Sequence, residues 1–543
     1  MVPIPRAALL AALAPILMFT LAACGDSKPL RAPCAAGKLC LQFGNTAEPT
    51  SLDPPKTVGV WEDRILGEML IGLVQNDIDG RPVPGMAKSW DISPDGLVWT
   101  FHLRDANWSD GVPVVADDFV FGAQRLMNPA TASEYSYLDY VIKNAAAVNA
   151  GKLPASALGI KALDAKTVQI TLEHPAPYLP ELLKHQTMYP APRRAIEKWG
   201  DAWTQPAHYL ANGPYKLAEW RFGDHIRLVR NPAYYAAKKV CYDEVSFYPT
   251  ADAVSAERRV RRGELDVTTD IQSNRIAYLR RPDQIPAYVH VATYLGTAYL
   301  VFNTRDVPAF RDKRVRVALD MAVDREFITK KLLRGGQLAA YTFTPPGVAN
   351  YGGAKPPVWA SWSIERRHAA ARVLLAEAGY NASHPLTFEY KHMNTPDPML
   401  IAPAVQADWK DIGVTITLAQ EDGQIAYQDY RLRNFQAGFT SWIADYNDAT
   451  SFLGLLQSQT GAQNYGDYNN PKVDALLNAA DHEPDVAKRA GYLRQVESIV
   501  LDDAAVTPIY FFVSKNLVNP AITGWQDNIV NWHRVQYLCR TGR

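Results

Sequence analysis

The sequence predicts an α/β protein of two or three domains, and three observations carry this prediction. The chain has 543 residues, which is too long for one compact core. Aliphatic and aromatic residues make up 48% of it, enough to fill more than one core. Short strand patterns alternate with helical patterns along the chain, as they do in mixed α/β folds.

Local signals place several elements. A strand is expected over residues 39–44 (LCLQFG), and another over residues 97–104 (LVWTFHLR), where polar and apolar residues alternate. A helix is expected to begin after Ser363 as N-cap and to end at Gly379. The apolar faces of this helix and of one further helix are Ala371, Leu374, Leu375 and Ala378, and Val315, Ala318, Leu319 and Ala322.

The amino terminus has the pattern of an export signal. Residues 1–23 carry Arg6 followed by an apolar run too short for comfortable membrane spanning, and they end in small residues before Cys24. The ending LAAC resembles a bacterial lipobox, which predicts lipid modification of Cys24; the alternative is that Cys24 is an ordinary residue of a cleaved leader. Residues 24–38 would then form the anchor and tether, and the lipid would be the chain's only membrane contact.

The other cysteines favour disulfide bonds. Cys34, Cys40, Cys241 and Cys539 are an even set in an exported chain, which allows three connectivities. We favour Cys34 with Cys40 and Cys241 with Cys539. None lies in a CxxC motif, so metal binding and redox catalysis are not expected.

Charge and motifs exclude several functions. Lys plus Arg total 56, and Asp plus Glu also total 56. The chain therefore has no net positive charge that would attract nucleic acid or an anionic membrane. The sequence lacks GxSxG, HExxH and GxxxxGK[ST] motifs and a clustered His/Cys set, so no enzyme activity, metal or cofactor is expected. Asp117 and Asp118 are interpreted as capping a helix amino terminus.

Six stretches, taken in their order and spacing along the chain, carry a family resemblance. They are PGMAKSWDISPDGLVWTFHLRDANWSDGVPVVADDFVF (84–121), SLDPPKTVGVWE (51–62), AIEKWGDAWTQPAHYLANGPYKL (195–217), AFRDKRVRVALDMAVDRE (309–326), LLAEAGY (374–380) and ADYNDATSFL (444–453). These stretches resemble the family 5 extracellular solute-binding proteins of ABC importers, and are most similar to the oligopeptide-binding proteins of Gram-negative bacteria. The resemblance covers essentially the whole mature chain.

This resemblance implies a two-lobed periplasmic binding protein fold (type II, cluster C-like) with an extra domain inserted in the first lobe. Two crossings between the lobes would form a hinge, and ligand binding would select the closed form. The implied boundaries are 39–70, 195–295 and 510–543 for the first lobe, 71–194 for the inserted domain, and 296–509 for the second lobe.

The resemblance also implies a ligand site around Asp445. In ADYN, Asp445 matches the aspartate that binds the free α-amino group of a peptide, for which a charge-assisted hydrogen bond is well suited. The residues alone favour a turn, with Asp448 or Thr450 capping the helix that follows. Further positions match ligand contacts in the family, although packing alone also explains Trp442 and Tyr135. These positions are Val60, Thr440, Ser441, Trp442 and Tyr135.

Other positions depart from the family. Arginines and a histidine that hold peptide carboxylates in relatives correspond here to Phe439, Tyr430 and Met399. Nearby Arg431 and Arg433 either substitute for them or are solvated surface charges. A tryptophan that lines a side-chain pocket corresponds to Gly423, and a family disulfide is lost at both ends, as Gly296 and Ile443. These departures predict a ligand whose far end is neutral, modified or long enough to leave the usual carboxylate site.

The resulting hypothesis is a monomeric, lipid-anchored substrate-binding protein in the periplasm. It would capture oligopeptides or peptide-like amines and deliver them to an ABC permease in the inner membrane. The alternatives are a periplasmic ligand sensor with the same fold and an exported peptide hydrolase.

Overall fold

The computed structural model describes residue 34 and residues 36–541. The predicted signal segment and Cys24 lie outside the described residues, as does most of the predicted tether. Within the described part of the chain, no helix is both long and apolar enough to cross a membrane.

The strands of the described chain are numbered in sequence order. They are β1 (Cys40–Gly44), β2 (Val74–Asn76), β3 (Pro82–Pro84), β4 (Ala87–Ile92), β5 (Val98–Leu103), β6 (Ile160–Asp164), β7 (Thr167–Thr171), β8 (Tyr215–Arg221), β9 (His225–Arg230), β10 (Glu244–Tyr248), β11 (Val267–Thr268), β12 (Val289–Phe302), β13 (Leu338–Ala339), β14 (Thr387–Met393), β15 (Thr415–Glu421), β16 (Ala437–Ile443), β17 (Thr507–Val518), β18 (Ile522–Thr523) and β19 (Cys539–Arg540).

The α-helices of the described residues are also numbered in sequence order. They are α1 (Val60–Met69), α2 (Ala116–Met127), α3 (Ala145–Asn149), α4 (Leu179–Leu183), α5 (Arg193–Trp199), α6 (Ala253–Arg261), α7 (Ile276–Leu279), α8 (Lys313–Ala322), α9 (Arg325–Phe327), α10 (Ile364–Glu377), α11 (Pro396–Asp411), α12 (Gly423–Leu432), α13 (Thr450–Leu453), α14 (Pro471–Asp481) and α15 (Val486–Asp502).

The local sequence signals are confirmed. Strands β1 and β5 and helices α8 and α10 lie where the patterns predict them. At the start of α10, the Ser363 hydroxyl accepts a hydrogen bond from the Arg366 amide. Beyond its carboxyl end, Gly379 has φ +92°, a conformation that glycine adopts without strain. At the start of α2, Asp118 accepts a hydrogen bond from the Val115 amide at 2.9 Å, which is the predicted capping role.

One large sheet runs through both predicted lobes. Its order is β15–β14–β16–β12–β17–β11–β1–β10–β9–β8, and β13 also pairs with β17. Strands β12 and β17 lie between the strands of the two lobes and pair antiparallel, with an irregularity between Thr293 and Thr297. The predicted boundaries after residues 295 and 509 fall inside these two strands. The connections between the lobes are therefore continuous strands.

The predicted inserted domain has its own sheet but shares its core with the first lobe. Its strands pair in the order β4–β5–β7–β6. Apolar residues of this segment, such as Phe101 and Ile170, belong to the same buried cluster as Phe43 and Phe247 of the first lobe. Second-lobe residues form two further clusters. The shared apolar core therefore packs the inserted segment against the first lobe.

Both favoured disulfides are present in the structure. Cys34 bonds to Cys40, and Cys241 bonds to Cys539 across 298 positions of sequence. The second bond ties the carboxyl-terminal strand β19 to the loop before β10, within the first lobe.

Removing the Cys241–Cys539 bond is expected to lower the free energy of unfolding by about 2–5 kcal/mol, because this bond closes a long loop in the unfolded chain. The double variant Cys241→Ser/Cys539→Ser would be compared with the wild type by denaturant unfolding. Its control is Cys34→Ser/Cys40→Ser, which opens a short terminal loop and should cost less. Equal losses from the two variants would contradict the loop-length explanation.

Candidate functional site

Asp445 lies in the loop between β16 and α13, two residues after the end of β16. Its backbone amide donates a hydrogen bond to the Ser451 hydroxyl at 3.2 Å. Asp448, in the same loop, accepts hydrogen bonds from the amide and hydroxyl of Thr450. Asp448 also forms a buried ion pair with Arg489 at 2.8 Å. Asp448 therefore has the structural role in this loop, which leaves the Asp445 carboxylate available for another one.

The Asp445 carboxylate is half-buried and accepts hydrogen bonds from two tyrosine hydroxyl groups. The Tyr137 hydroxyl donates to Oδ2 at 3.4 Å, and the Tyr135 hydroxyl also forms a hydrogen bond with this carboxylate. In the part of the chain that the structure describes, no lysine, arginine or histidine pairs with Asp445. Burial raises the pKa of Asp445 to about 7, although the two tyrosines act to lower it. The ionised carboxylate thus lacks a positive partner.

Asp445 lines two adjoining cavities between the lobes. One is bounded by the start of α1 near Val60, by Tyr294 of β12, and by the loop around Asp445. The other, about 280 Å³ in volume, extends from Asp445 past Ser441 and Trp442 to Arg431 at the end of α12. Tyr135 of the inserted segment borders both cavities. The site is therefore built from both lobes and the insertion.

Contacts across the cleft bring the inserted segment against the second lobe. The rings of Tyr178 and Tyr446 stack with centroids 5.2 Å apart. The Arg489 guanidinium lies over the Tyr178 ring at 5.0 Å, and the imidazoles of His174 and His482 are 6.0 Å apart. With the hydrogen bond from Tyr137 to Asp445, these contacts hold the lobes together around the cavities.

The structure gathers five of the candidate ligand residues around the cavities. Asp445, Trp442, Ser441 and Tyr135 line the larger cavity, and Val60 lines the neighbouring one. The Ser441 hydroxyl also lies 3.3 Å from the Tyr427 hydroxyl.

The other four candidates lie elsewhere. Thr440 is fully buried, and Phe439 packs in a core cluster of the second lobe. Met399 is 46% exposed on α11, and Gly423 begins α12 beside the Met393 sulfur. None of these four lines the cavities that contain Asp445.

Tyr430 and Phe439, two positions for which the family resemblance implies arginines in relatives, form a buried pair here. The Tyr430 hydroxyl donates to the Phe439 carbonyl oxygen at 2.9 Å, and Tyr430 has no exposed surface. A cation at either position would need to be desolvated in this packing, which is costly without a partner. Phe439 and Tyr430 therefore both belong to the core of the second lobe.

Arg431 and Arg433 have different surroundings. Arg433 donates to the carbonyl oxygens of Gly461 and Asn464 and pairs with Asp467 at 3.3 Å, so it is held in the structure. Arg431 lines the larger cavity with Asp445. Of these two arginines, Arg431 borders the cavity that contains Asp445, and Arg433 does not.

Gly296 and Ile443, for which the resemblance implies a disulfide in relatives, are directly opposite each other. Gly296 of β12 pairs with Ile443 of β16. A Cβ atom added at Gly296 would lie 3.1 Å from the Ile443 Cδ1 atom, so the isoleucine fills the space left by the glycine. Glycine and isoleucine at these two positions therefore fit together without a covalent bond.

Several cavity residues were not anticipated from the sequence. Tyr137, Tyr294, His185 and Trp532 all line the cavities or contact Asp445. The only sequence signal is the spacing of Tyr137, two positions after Tyr135. The described residues contain no group of three or more His, Cys, Asp or Glu side chains that could hold a metal ion.

Comparison with known proteins reveals relatives that cover nearly all of the chain. The model of the bacterial extracellular solute-binding proteins, family 5 Middle, matches residues 81–464. The chain is 39% identical over 496 residues to the periplasmic oligopeptide-binding protein OppA of Salmonella typhimurium, with 90% of each chain covered. It is 34% identical over 507 residues to the probable deoxycholate-binding periplasmic protein YgiS of Escherichia coli, with 92% of each covered.

A solved structure has a similar fold. OppA of Haemophilus influenzae, in complex with RPPGFSPFR, matches with a TM-score of 0.80 at 33% sequence identity. The match covers 93% of this chain and 99% of that chain.

The unpaired carboxylate is expected to destabilise the empty protein at high pH. The pKa of Asp445 is raised in the fold, from an ordinary 3.8 to about 7, so stability is lost as pH rises through this window. Asp445→Asn should therefore be more stable than the wild type at about pH 8, by about 1–4 kcal/mol, since each pKa unit corresponds to about 1.4 kcal/mol.

Denaturant unfolding of ligand-free protein at about pH 4 and about pH 8 would measure this difference. Asp411→Asn, which neutralises an exposed aspartate on α11, is the matched control and should show no gain that depends on pH. An Asp445→Asn variant that gains no stability at the higher pH would contradict an uncompensated charge at this position.

Proposed function

The chain belongs to the bacterial extracellular solute-binding proteins of family 5, and from this premise we propose that it captures oligopeptides or peptide-like amines. The ligand would lie between the two lobes and be delivered to the membrane permease of an ABC importer. The relatives described above are named as binding proteins, and this proposal assigns the same class of role to this chain.

The observation that carries the proposal is the Asp445 carboxylate. It is half-buried, borders both cavities, and has no cationic partner among the described residues. An ammonium group of a ligand would supply the missing charge and would lower the pKa of Asp445 on binding. A free peptide amino terminus has this charge near neutral pH.

The partly unpaired edge of β16 is evidence that the ligand is a peptide. One edge of β16 pairs with β12 from Ala437 to Ile443. On its other edge, the described chain offers β14 as a partner only at Ala437 and Gly438. On this second edge, Ser441 and Trp442 have no strand partner among the described residues, and both line the cavity. An extended peptide adds to such an edge through its main chain, which gives affinity without requiring particular side chains.

We place the hinge in β12 and β17, where both connections between the lobes cross. The irregularity between Thr293 and Thr297 is the point at which the β12–β17 register shifts. Rotation about this region would separate Tyr178 from Tyr446 and open the cavities. The ligand, by contacting both lobes, would favour the closed form that a permease recognises.

The proposal includes a location and an anchor. The OppA relative is named as periplasmic, and the amino-terminal pattern of this chain fits export followed by lipid modification at Cys24.

Expression of the full chain in a bacterium is expected to yield a protein that is cleaved before Cys24 and carries lipid there. Intact mass and palmitate labelling would measure this, with Cys24→Ser as the unlipidated control. A mature chain that begins elsewhere, or one that takes up no label, would overturn the anchor and leave the ligand assignment unaffected.

The central test is whether Asp445 recognises a free amino group. Asp445→Asn should weaken the binding of a free-amine peptide by about 1.5–3 kcal/mol, the range for a hydrogen bond to a charged group. N-acetylation of the same peptide should weaken binding to the wild type, and the variant should distinguish the two peptides much less. Isothermal titration calorimetry would measure all four affinities.

Asp411→Asn again serves as the charge-matched control and should bind like the wild type. Deoxycholate belongs in the panel because one relative is named for it. Binding of deoxycholate with no binding of any peptide would overturn the ligand class while keeping the fold.

A further inference from the structure

One edge of the first-lobe sheet lies where the chain leads back toward Cys24. Strands β1, β10 and β11 run parallel, with β1 between the other two. The segments that precede parallel strands meet at the same edge of a sheet. Residues 36–39, 237–243 and 261–266, which precede these three strands, are therefore neighbours, and we call them the anchor edge. The disulfide between Cys34 and Cys40 holds the chain before β1 at this edge.

The anchor edge carries exposed basic side chains. Lys238 and Lys239 lie in the turn before β10, and both are exposed with no ion-pair partner among the described residues. Lys38 is exposed in the segment before β1. Arg261 and Arg262 are exposed at the carboxyl end of α6, before β11. Positive charge is thus present on both sides of β1.

The acidic side chains nearby already have basic partners. The pairs are Asp243 with Arg230 and Lys38, Glu264 with Arg259 and Arg262, Glu257 of α6 with Arg261 and Arg275, and Asp266 with Arg540. Asp243, Glu264 and Glu257 are each shared by two cations, so each pair of cations is only half neutralised. The anchor edge therefore has a net positive charge, although the whole chain has none.

The cavities lie at the opposite ends of the same strands. Thr46 follows β1 and Thr269 follows β11, and both line a cavity between them. This cavity shares Val60 and Tyr294 with the one that contains Asp445. A partner bound at the anchor edge would therefore leave the ligand cavities free.

The sequence limits how far the anchor edge can lie from a lipid on Cys24. Nine residues, GDSKPLRAP, separate Cys24 from Cys34. Even fully extended, this stretch spans at most about 36 Å. It contains Lys28 and Arg31 against the single acid Asp26, so it adds positive charge. A lipid on Cys24 would therefore keep a basic surface close to the bilayer.

We propose that the anchor edge binds the anionic headgroups of phospholipids, so that the first lobe rests on the membrane in which the lipid is inserted. Lysine and arginine side chains are attracted to such a surface within about a Debye length of it. The inference rests on the proposed lipid anchor, which supplies the proximity that a few charges alone would not. It replaces the expectation that the lipid is the chain's only membrane contact.

Lysine acetylation of the lipidated chain on vesicles tests this inference. The full chain, purified with its lipid, would be reconstituted on vesicles of phosphatidylcholine alone and on vesicles of phosphatidylcholine and phosphatidylglycerol in equal parts. Flotation measures attachment, and mass spectrometry measures the acetylation rate of each lysine.

On the anionic vesicles, Lys238 and Lys239 should react about 3-fold or more slowly than on the neutral ones. A surface potential of about −30 mV alone lowers the fraction of neutral amine by about this factor. The difference should vanish at about 1 M salt, where the Debye length is about 3 Å. Lys152 and Lys472, which are exposed outside the anchor edge, should react equally on both vesicles.

The variant Lys238→Glu/Lys239→Glu tests whether these lysines hold the surface down. In this variant, Lys38 should react equally on both vesicles, since its neighbours no longer attract the headgroups. Lys152→Glu/Lys472→Glu changes the net charge by the same amount and should keep Lys38 protected on the anionic vesicles. Because all four substituted lysines are exposed, both variants should unfold at the wild-type temperature, which thermal denaturation would verify.

Attachment and protection distinguish the inference from the anchor on which it rests. Protection on anionic vesicles that is lost in salt and in Lys238→Glu/Lys239→Glu supports the inference. Equal reactivity of Lys238 and Lys239 on both vesicles, with the chain attached to both, overturns the headgroup contact and leaves the anchor standing. A chain that attaches to neither vesicle overturns the anchor and this inference together, and leaves the ligand assignment unaffected.

Discussion

The pairing of β12 with β17 is the constraint on which both lobes depend. These strands lie in the middle of the large sheet and hydrogen-bond to each other on either side of the irregularity between Thr293 and Thr297. The other edge of β12 takes β16 and thereby places the loop that contains Asp445. Tyr294, from the irregular part of β12, borders the same cavity. One pair of strands thus joins the lobes and positions the site between them.

The two aspartates of the ADYND segment show how one loop combines stability with function. Asp448 is buried with Arg489 and holds the start of α13, so its charge is fully compensated. Asp445 is half-buried without a cation, and burial raises its pKa to about 7. A carboxylate kept in this state costs stability in the empty protein, and strained or desolvated groups of this kind are typical of functional sites. The buried Asp448–Arg489 pair anchors the loop that contains Asp445.

The buried Phe439–Tyr430 pair affects which charges are available near β16. Tyr430 donates to the Phe439 carbonyl oxygen and lies against β16, which leaves no room there for a solvated cation. Positive charge is instead found one residue further along, at Arg431, on the side of α12 that meets the cavity. The orientation of the carboxyl-terminal end of α12 therefore determines which charged side chain a ligand in the cavity contacts.

The sequence by itself determined much of this protein. Ser363 and Gly379 marked the ends of α10, and alternation in LVWTFHLR marked β5, because caps and period-two patterns act locally. The family resemblance pointed to the two-lobed fold and to Asp445, and the even cysteine set favoured the two disulfides that form. Tertiary structure alone decided the rest. Phe439 and Thr440 are buried whereas Ser441 and Trp442 line the cavity, and Arg431 faces it whereas Arg433 binds carbonyl groups. The side chains of neighbouring residues point in different directions. Only packing against distant segments determines which of them reaches the cavity.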